Sequence, residues 1–72
     1  MDLVLNLPHL TLVGKDSLCI QNHGGLLAYA SDLIKIKTTL GILTVEGRKL
    51  MVSKITQEQI ELKGTITQLS YD

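Results

Sequence analysis

The single cysteine of this 72-residue chain, Cys19, is the first candidate for nucleophilic chemistry. A cysteine nucleophile needs a nearby base and surroundings that favour the thiolate. Cys19 stands instead between Leu18 and Ile20, in a segment that alternates like a strand. We therefore interpret it as an ordinary strand thiol. A lone cysteine also excludes an internal disulfide and a zinc site built on thiolates.

Two histidines and one carboxylate, His9, His23 and Asp16, are the candidates for a metal site. Their spacing matches no recognised ligand pattern, such as two histidines on one helical face, so we interpret the histidines as polar residues at strand ends. The seven acidic side chains never pair at a spacing that suggests acid and base roles. The sequence thus predicts no catalytic residue, no metal site and no cofactor, and we expect that the protein is not an enzyme.

Residues 22–25, NHGG, have the glycines of a phosphate-binding loop. Such loops hold the anion at the amino end of a following helix, and no helical pattern follows here. Asparagine tolerates left-handed backbone angles, and glycine adopts them freely. We therefore predict a hairpin turn at this point.

The elements that must position any site are strands, because apolar and polar residues alternate through residues 32–62. The apolar members of this pattern are Ile34, Ile36, Leu43, Val45, Leu50, Val52, Ile60 and Leu62. Side chains of an extended chain project alternately to its two faces. The pattern therefore predicts strands with one face on a core and the other face in water.

Turn-forming residues divide the chain into eight or nine short strands at roughly eight-residue spacing. The predicted connections include residues 14–16, Gly41, Gly47 with the pair Arg48-Lys49, and residues 56–58. This predicts an all-β fold, a small antiparallel β-sandwich (immunoglobulin-like) of about eight short strands with no long helix. A short β-solenoid or roll, suggested by the spaced glycines, is the alternative. Residues 2–7 are predicted as a first strand that ends at Pro8, and a bulge is predicted between Ile66 and Leu69. We expect residues 1–72 to form a single domain.

Charge and composition narrow the functional classes. Seven basic and seven acidic residues cancel, and two tyrosines are the only aromatic residues, so nucleic-acid binding is not expected. Absence of net charge favours self-association, and a small chain gains stability from a partner. No apolar stretch reaches the roughly 20 residues of a membrane span, and the first residues lack the basic character of a signal peptide. We expect a cytoplasmic homo-oligomer without direct membrane insertion.

Four apolar residues occupy positions where a solvated face would be polar: Leu26, Ala28, Ile42 and Met51. One interpretation is that they form the second layer of the core. The other is that they form a protein interface, since a small sandwich has a limited interior and exposed apolar surface marks contact sites. The sequence leaves both interpretations open.

The order and spacing of four segments resemble the YabP/YqfC family of bacterial sporulation proteins, and its YqfC branch in particular. The segments are LNLPHLTLVG, LCIQNHGGLLAY, IKIKTTLGILTVEG and IELKGTITQLSY, and together they span about residues 5–71. The resemblance implies a small β-sandwich-like domain without enzymatic activity that is needed for spore formation. It also implies action in the mother cell, at the forespore surface where coat and cortex are assembled, with a membrane-anchored or coat sporulation protein as partner. A small ligand-binding or enzymatic module unrelated to spores is the competing hypothesis.

Overall fold

The computed structural model describes residues 7–72, in which every regular element is a strand. The six strands are β1 (His9–Val13), β2 (Ser17–Gln21), β3 (Gly25–Tyr29), β4 (Leu33–Thr38), β5 (Gly41–Ile55) and β6 (Gln59–Tyr71). They form one antiparallel sheet in the order β1-β2-β6-β5-β4-β3. The prediction of an all-β antiparallel fold without a long helix is confirmed for this part of the chain. The strand predicted at residues 2–7 lies, apart from Leu7, outside the described residues.

The finer prediction of about eight short strands in an immunoglobulin-like sandwich is not confirmed. Two long strands replace several of the short ones, because Gly47, which was interpreted as a connection, lies inside β5, and Gly64 lies inside β6. All neighbouring strands are antiparallel, which does not fit the alternative of a solenoid. Within residues 7–72 there is also no helix with the length and hydrophobicity that a bilayer crossing requires.

The long strands β5 and β6 run through two halves of the sheet. The first half-sheet contains β1, β2, residues 59–63 of β6 and residues 51–55 of β5. The second half-sheet contains β3, β4, residues 41–46 of β5 and residues 66–71 of β6. Leu18 in the first half and Ile34 in the second are both fully buried in one cluster. A sheet with no other layer buries both only if it bends so that its halves pack face to face.

Glycines permit this bend where β5 and β6 cross from one half-sheet to the other. At Gly47, a Cβ atom would collide with the carbonyl oxygen of Thr65. Gly64 has a φ of +125°, and a Cβ atom there would lie 2.9 Å from the Cα of Leu50. The pairing of β5 with β6 is irregular on both sides of this point. Bulges and glycines are the usual means of bending a strand, so these two residues allow the halves to approach.

The core consists of aliphatic side chains from the facing sides of the two half-sheets. Its buried members are Leu18, Ile20, Ile34, Ile36, Leu43, Val45, Leu50, Ile60, Leu62 and Ile66. Seven of these belong to the alternating pattern of residues 32–62, which confirms its interpretation. Leu26, Val52 and Leu69 pack against the cluster and are partly buried.

The connections differ in how well they were predicted. Residues 14–16 and 56–58 join neighbouring strands, and the predicted bulge is present, because Thr67 has no opposite residue between the pairs Glu46–Gln68 and Gly47–Ile66. Residues 22–24 do not form the predicted hairpin turn. They cross from β2 in the first half-sheet to β3 at the far edge of the second, and β2 and β3 are not neighbours. Local turn propensity specifies a change of direction but not the strand that follows.

Candidate functional site

Strand β1 is the least covered element of the described fold. It lies at one end of the sheet, where β2 is its sole neighbour among residues 7–72. All five of its residues are exposed. A strand with an uncovered edge presents unpaired backbone N–H and C=O groups that form hydrogen bonds with another chain. No other described strand pairs with the second edge of β1, so a further strand can add to the sheet there.

The inner face of β1 carries two leucines that continue the apolar face of β2 but are only partly buried. Leu10 lies opposite Ile20, and Leu12 lies opposite Leu18. Residues opposite each other in an antiparallel pair point to the same face. Ile20 and Leu18 are fully buried, whereas Leu10 is 36% exposed and Leu12 is 48% exposed. The second half-sheet thus covers β2 and leaves the leucines of β1 in contact with solvent.

The outer face of β1 carries His9, Thr11 and Val13, which lie opposite residues of β2. No residue of β1 is an Asp, Glu, Lys or Arg. Its register with β2 is regular along all five residues. Proteins protect edge strands with charges, prolines or bulges, and within β1 none of these is present.

The strand at the other end of the sheet, β3, also has no charged residue, but its pairing is irregular. Strand β3 has a register shift between Leu26 and Ala28, which interrupts the regular ladder that an added strand needs. Its neighbour β4 places Lys35 opposite Ala28 and Lys37 opposite Gly25. Of the two ends of the described sheet, β1 is the one whose ladder is regular along its whole length.

The four residues predicted as an interface do not lie together. Leu26 is partly buried against the core and lies opposite Ile36, so it points inward. Ala28 is exposed, and Ile42 is half-buried opposite Lys37; both belong to the second half-sheet. Met51 belongs to the first half-sheet, opposite Lys63, and is 54% exposed. An interface at Ala28, Ile42 or Met51 remains a prediction, but the four residues do not form one patch.

A cleft of about 430 Å³ lies where the two half-sheets meet at the crossing connection. Its lining residues are Asn22, His23, Gly24, Lys37, Thr38, Thr39, Gln57 and Glu58. They come from the crossing connection, the end of β4 with the turn that follows it, and the β5–β6 turn. Sequence reasoning did not find this cleft, because its residues are distant in the chain.

His23 joins the two half-sheets at this cleft through both ring nitrogens. Its Nδ1 accepts a hydrogen bond of 3.0 Å from the backbone N–H of Gly25, at the start of β3. Its Nε2 lies 2.8 Å from the carbonyl oxygen of Thr56, the first residue after β5. An N–H group only donates and a carbonyl only accepts, so these partners assign the proton to Nε2. Both nitrogens are thereby engaged with backbone, and His23 is a structural clamp.

The residues considered for catalysis or metal binding are separated. Cys19 is half-buried in the middle of β2, between Thr11 of β1 and Glu61 of β6. Among residues 7–72 no three His, Cys, Asp or Glu side chains are close enough to hold a metal ion. In the same range every buried side-chain nitrogen or oxygen has a hydrogen-bond partner. Of the sites considered, β1 is therefore the best candidate for a functional surface.

The sequence does carry a signal for β1. The segment HLTLV alternates without a charged residue, which distinguishes it from the charged alternation of residues 32–62. That signal was interpreted as an ordinary strand, because nothing in a single sequence indicates how far the opposite half-sheet extends.

Comparison with known proteins places these features in a family. A sequence model of the YabP family matches residues 6–72. The "Uncharacterized protein YqfC" of Bacillus subtilis (strain 168) is 31% identical over 70 residues, which cover 97% of this chain and 75% of that protein. The matched range includes all six strands and the crossing connection.

Proposed function

The chain belongs to the YabP family, and on that premise we propose that it is a non-enzymatic sporulation protein. In this proposal it is a structural or adaptor component that acts in spore coat or cortex assembly through protein–protein contacts. It works in the cytoplasm of the mother cell at the forespore surface. Its partners are further copies of itself and a membrane-anchored or coat sporulation protein.

One observation carries the contact function: among residues 7–72, β1 is a regular, uncharged edge strand paired with β2 alone, and two partly exposed leucines lie on its inner face. Such an edge pairs with another extended chain by backbone hydrogen bonds, and its side chains add apolar contact. The aliphatic core supports the same proposal, because it provides a rigid scaffold that holds β1 at the edge of the sheet.

The absence of enzymatic activity is supported by the separation of the reactive side chains. Cys19 lies mid-strand, and His23 uses both ring nitrogens for backbone contacts. A catalytic base must have a free nitrogen or oxygen within reach of the reacting proton. His23 has no such nitrogen unless the clamp opens.

The test is genetic and is done in an endospore-forming bacterium that produces this chain. We expect deletion to reduce the yield of heat-resistant spores and a plasmid copy to restore it. A photoreactive residue at Met51, Ile42 or Leu12 should then crosslink to a second protein in sporulating cells. The matched control is a photoreactive residue at Lys49, which is exposed on the bend of β5. Normal spore yield after deletion, with no crosslinked partner at any position, would contradict the proposal.

The cleft beside His23 favours a second candidate function, the binding of a small charged ligand. Lys37 and Glu58 give its lining both charges, which suits a ligand that carries an anionic and a cationic group. Chemical-shift changes confined to residues 22–24, 37–39 and 57–58 in an NMR screen of such compounds would support it. Spectra that stay unchanged for every residue at millimolar ligand would contradict ligand binding in the cleft.

A further inference from the structure

We propose that β1 pairs with β1 of a second copy, antiparallel and around a two-fold axis at Thr11, so that two sheets become one. This inference deepens the proposed function, on which it rests, by naming the contact surface and the register. The bent sheet of each copy continues through β2 and β1 into the partner's β1 and β2.

The register follows from the pleat of the strand. In an antiparallel pair, residues directly opposite each other share a face, so a residue of the inner face must meet another residue of the inner face. Full overlap of five residues then places Thr11 opposite its own copy, Leu10 opposite the second copy's Leu12, and His9 opposite the second copy's Val13. Other allowed registers leave residues at the strand ends unpaired.

This register continues two ladders of the core. On the inner face of one copy, Leu10, Ile20, Ile60 and Ile55 form one row across four strands. Leu12, Leu18, Leu62 and Val52 form the next row. Pairing at β1 joins the row that contains Leu10 in one copy to the row that contains Leu12 in the second copy. The leucines at 10 and 12 of both copies then form one cluster and cover one another.

The features of β1 select a second copy as the occupant. The inner face of β1 has leucine at both position 10 and position 12. Two antiparallel copies of this strand therefore place leucine opposite leucine, so the strand is complementary to itself, as a two-fold interface requires. Neither copy places a charged side chain in the new pair, and the whole chain carries no net charge that would repel its copy. An adaptor strand for a charged partner would instead need complementary charges.

The expected affinity is modest. Two five-residue strands bury less than the roughly 1,600 Å² of a standard interface, so association is expected at about 10 μM to 1 mM chain. Sedimentation of the purified wild type in reducing buffer over this range should show a transition from 7.9 kDa to twice that mass. The reducing agent prevents crosslinking through Cys19.

The decisive variants change Thr11, which is exposed on the outer face, away from the core. Thr11→Lys places two like charges directly opposite each other at the axis, and Thr11→Glu does the same with negative charge. Each variant alone should sediment as a monomer with a circular dichroism spectrum like that of the wild type. An equal mixture of the two should regain the dimer, because the opposite residues then attract.

Gln68→Lys is the matched control. Gln68 is an exposed residue of β6 in the part of that strand whose pairing within residues 7–72 is with β5. We expect this variant to dimerise like the wild type. A dimer that Gln68→Lys disrupts and Thr11→Lys leaves intact would overturn the proposal, and so would a wild type that is monomeric up to 1 mM.

Failure of this inference is distinguishable from failure of the proposed function. Sedimentation uses purified protein and does not depend on any role in spores. A monomeric wild type whose variant with a photoreactive residue at position 12 crosslinks to a different protein in sporulating cells would overturn self-pairing while supporting the adaptor role. A dimer with normal spore yield after deletion would support self-pairing and contradict the sporulation role.

Discussion

Leu10 of β1 lies directly opposite Ile20 of β2, yet Ile20 is fully buried while more than a third of Leu10 is exposed. The two side chains point to the same face of the same sheet, one strand apart. The difference arises because the second half-sheet packs over β2 but does not extend over β1. The apolar residues of the inner face thus continue from β2, where they are buried, to β1, where they are partly exposed. This feature links the fold of the protein to its proposed contacts.

Leu18 and Leu12 allow stability and association to be separated, because they are cross-strand partners on the same face. Leu18→Ala should lower the free energy of unfolding by about 2 to 5 kcal/mol, since it leaves a cavity in a closed core. Leu12→Ala should lower it by less than about 1 kcal/mol in dilute solution, since half of that side chain is already exposed. Urea denaturation below 5 μM chain measures both.

Self-association should depend on Leu12 although the stability of the single chain depends on it little. Leu12→Ala should weaken self-association, because it removes part of the leucine cluster at the proposed contact. Equal association of Leu12→Ala and wild type would show that the exposed leucines take no part in it.

Gly64 should be essential for the bend between the half-sheets. Gly64→Ala adds a Cβ atom 2.9 Å from the Cα of Leu50 at a φ of +125°, so we expect a loss of about 3 kcal/mol or a failure to fold. Gly14→Ala is the control, because its φ is also positive but its Cβ would meet nothing within 4 Å. That variant should lose about 1 kcal/mol. Comparable losses in urea denaturation for the two variants would contradict the account of the bend.

His23 should contribute to the contact between the half-sheets. His23→Ala removes the acceptor for the N–H of Gly25 and the donor to the carbonyl oxygen of Thr56. We expect a loss of about 1 to 3 kcal/mol in unfolding free energy and faster hydrogen exchange at Gly25. His9→Ala, on the exposed strand β1, should stay within about 0.5 kcal/mol of wild type. If both variants match wild type in exchange at Gly25, the clamp has no energetic role.

Much of the core was predictable from sequence because burial in a strand has a strict period of two. Ile34, Ile36, Ile60 and Leu62 are all fully buried, as the alternation indicates. The bulge at Thr67 was also predictable, because a bulge shifts that period by one residue.

The topology was less predictable, because glycines mark turns and bends alike. Gly47 carries no local signal that distinguishes a connection from a bend, and the difference depends on its contact with Thr65. The connection at residues 22–24 was misinterpreted for a related reason, since its turn residues do not specify which strand β3 joins. The exposure of β1 depends on the extent of the opposite half-sheet, which is a property of the folded chain alone.

Disulfide formation at position 11 tests the contact through β1 most directly. Thr11→Cys must be combined with Cys19→Ser, because Thr11 and Cys19 lie opposite each other within one chain. Cα atoms of directly opposite residues in an antiparallel pair lie about 4.5 to 5.5 Å apart, within the range that a disulfide spans. In the proposed register the two copies of residue 9 are more than about 13 Å apart.

The account therefore predicts that mild oxidation of the Thr11→Cys, Cys19→Ser variant yields covalent dimers. It predicts that the His9→Cys, Cys19→Ser variant at the same concentration stays monomeric on a non-reducing gel. Equal crosslinking at positions 9 and 11, or none at position 11, would contradict the pairing of β1 with its copy.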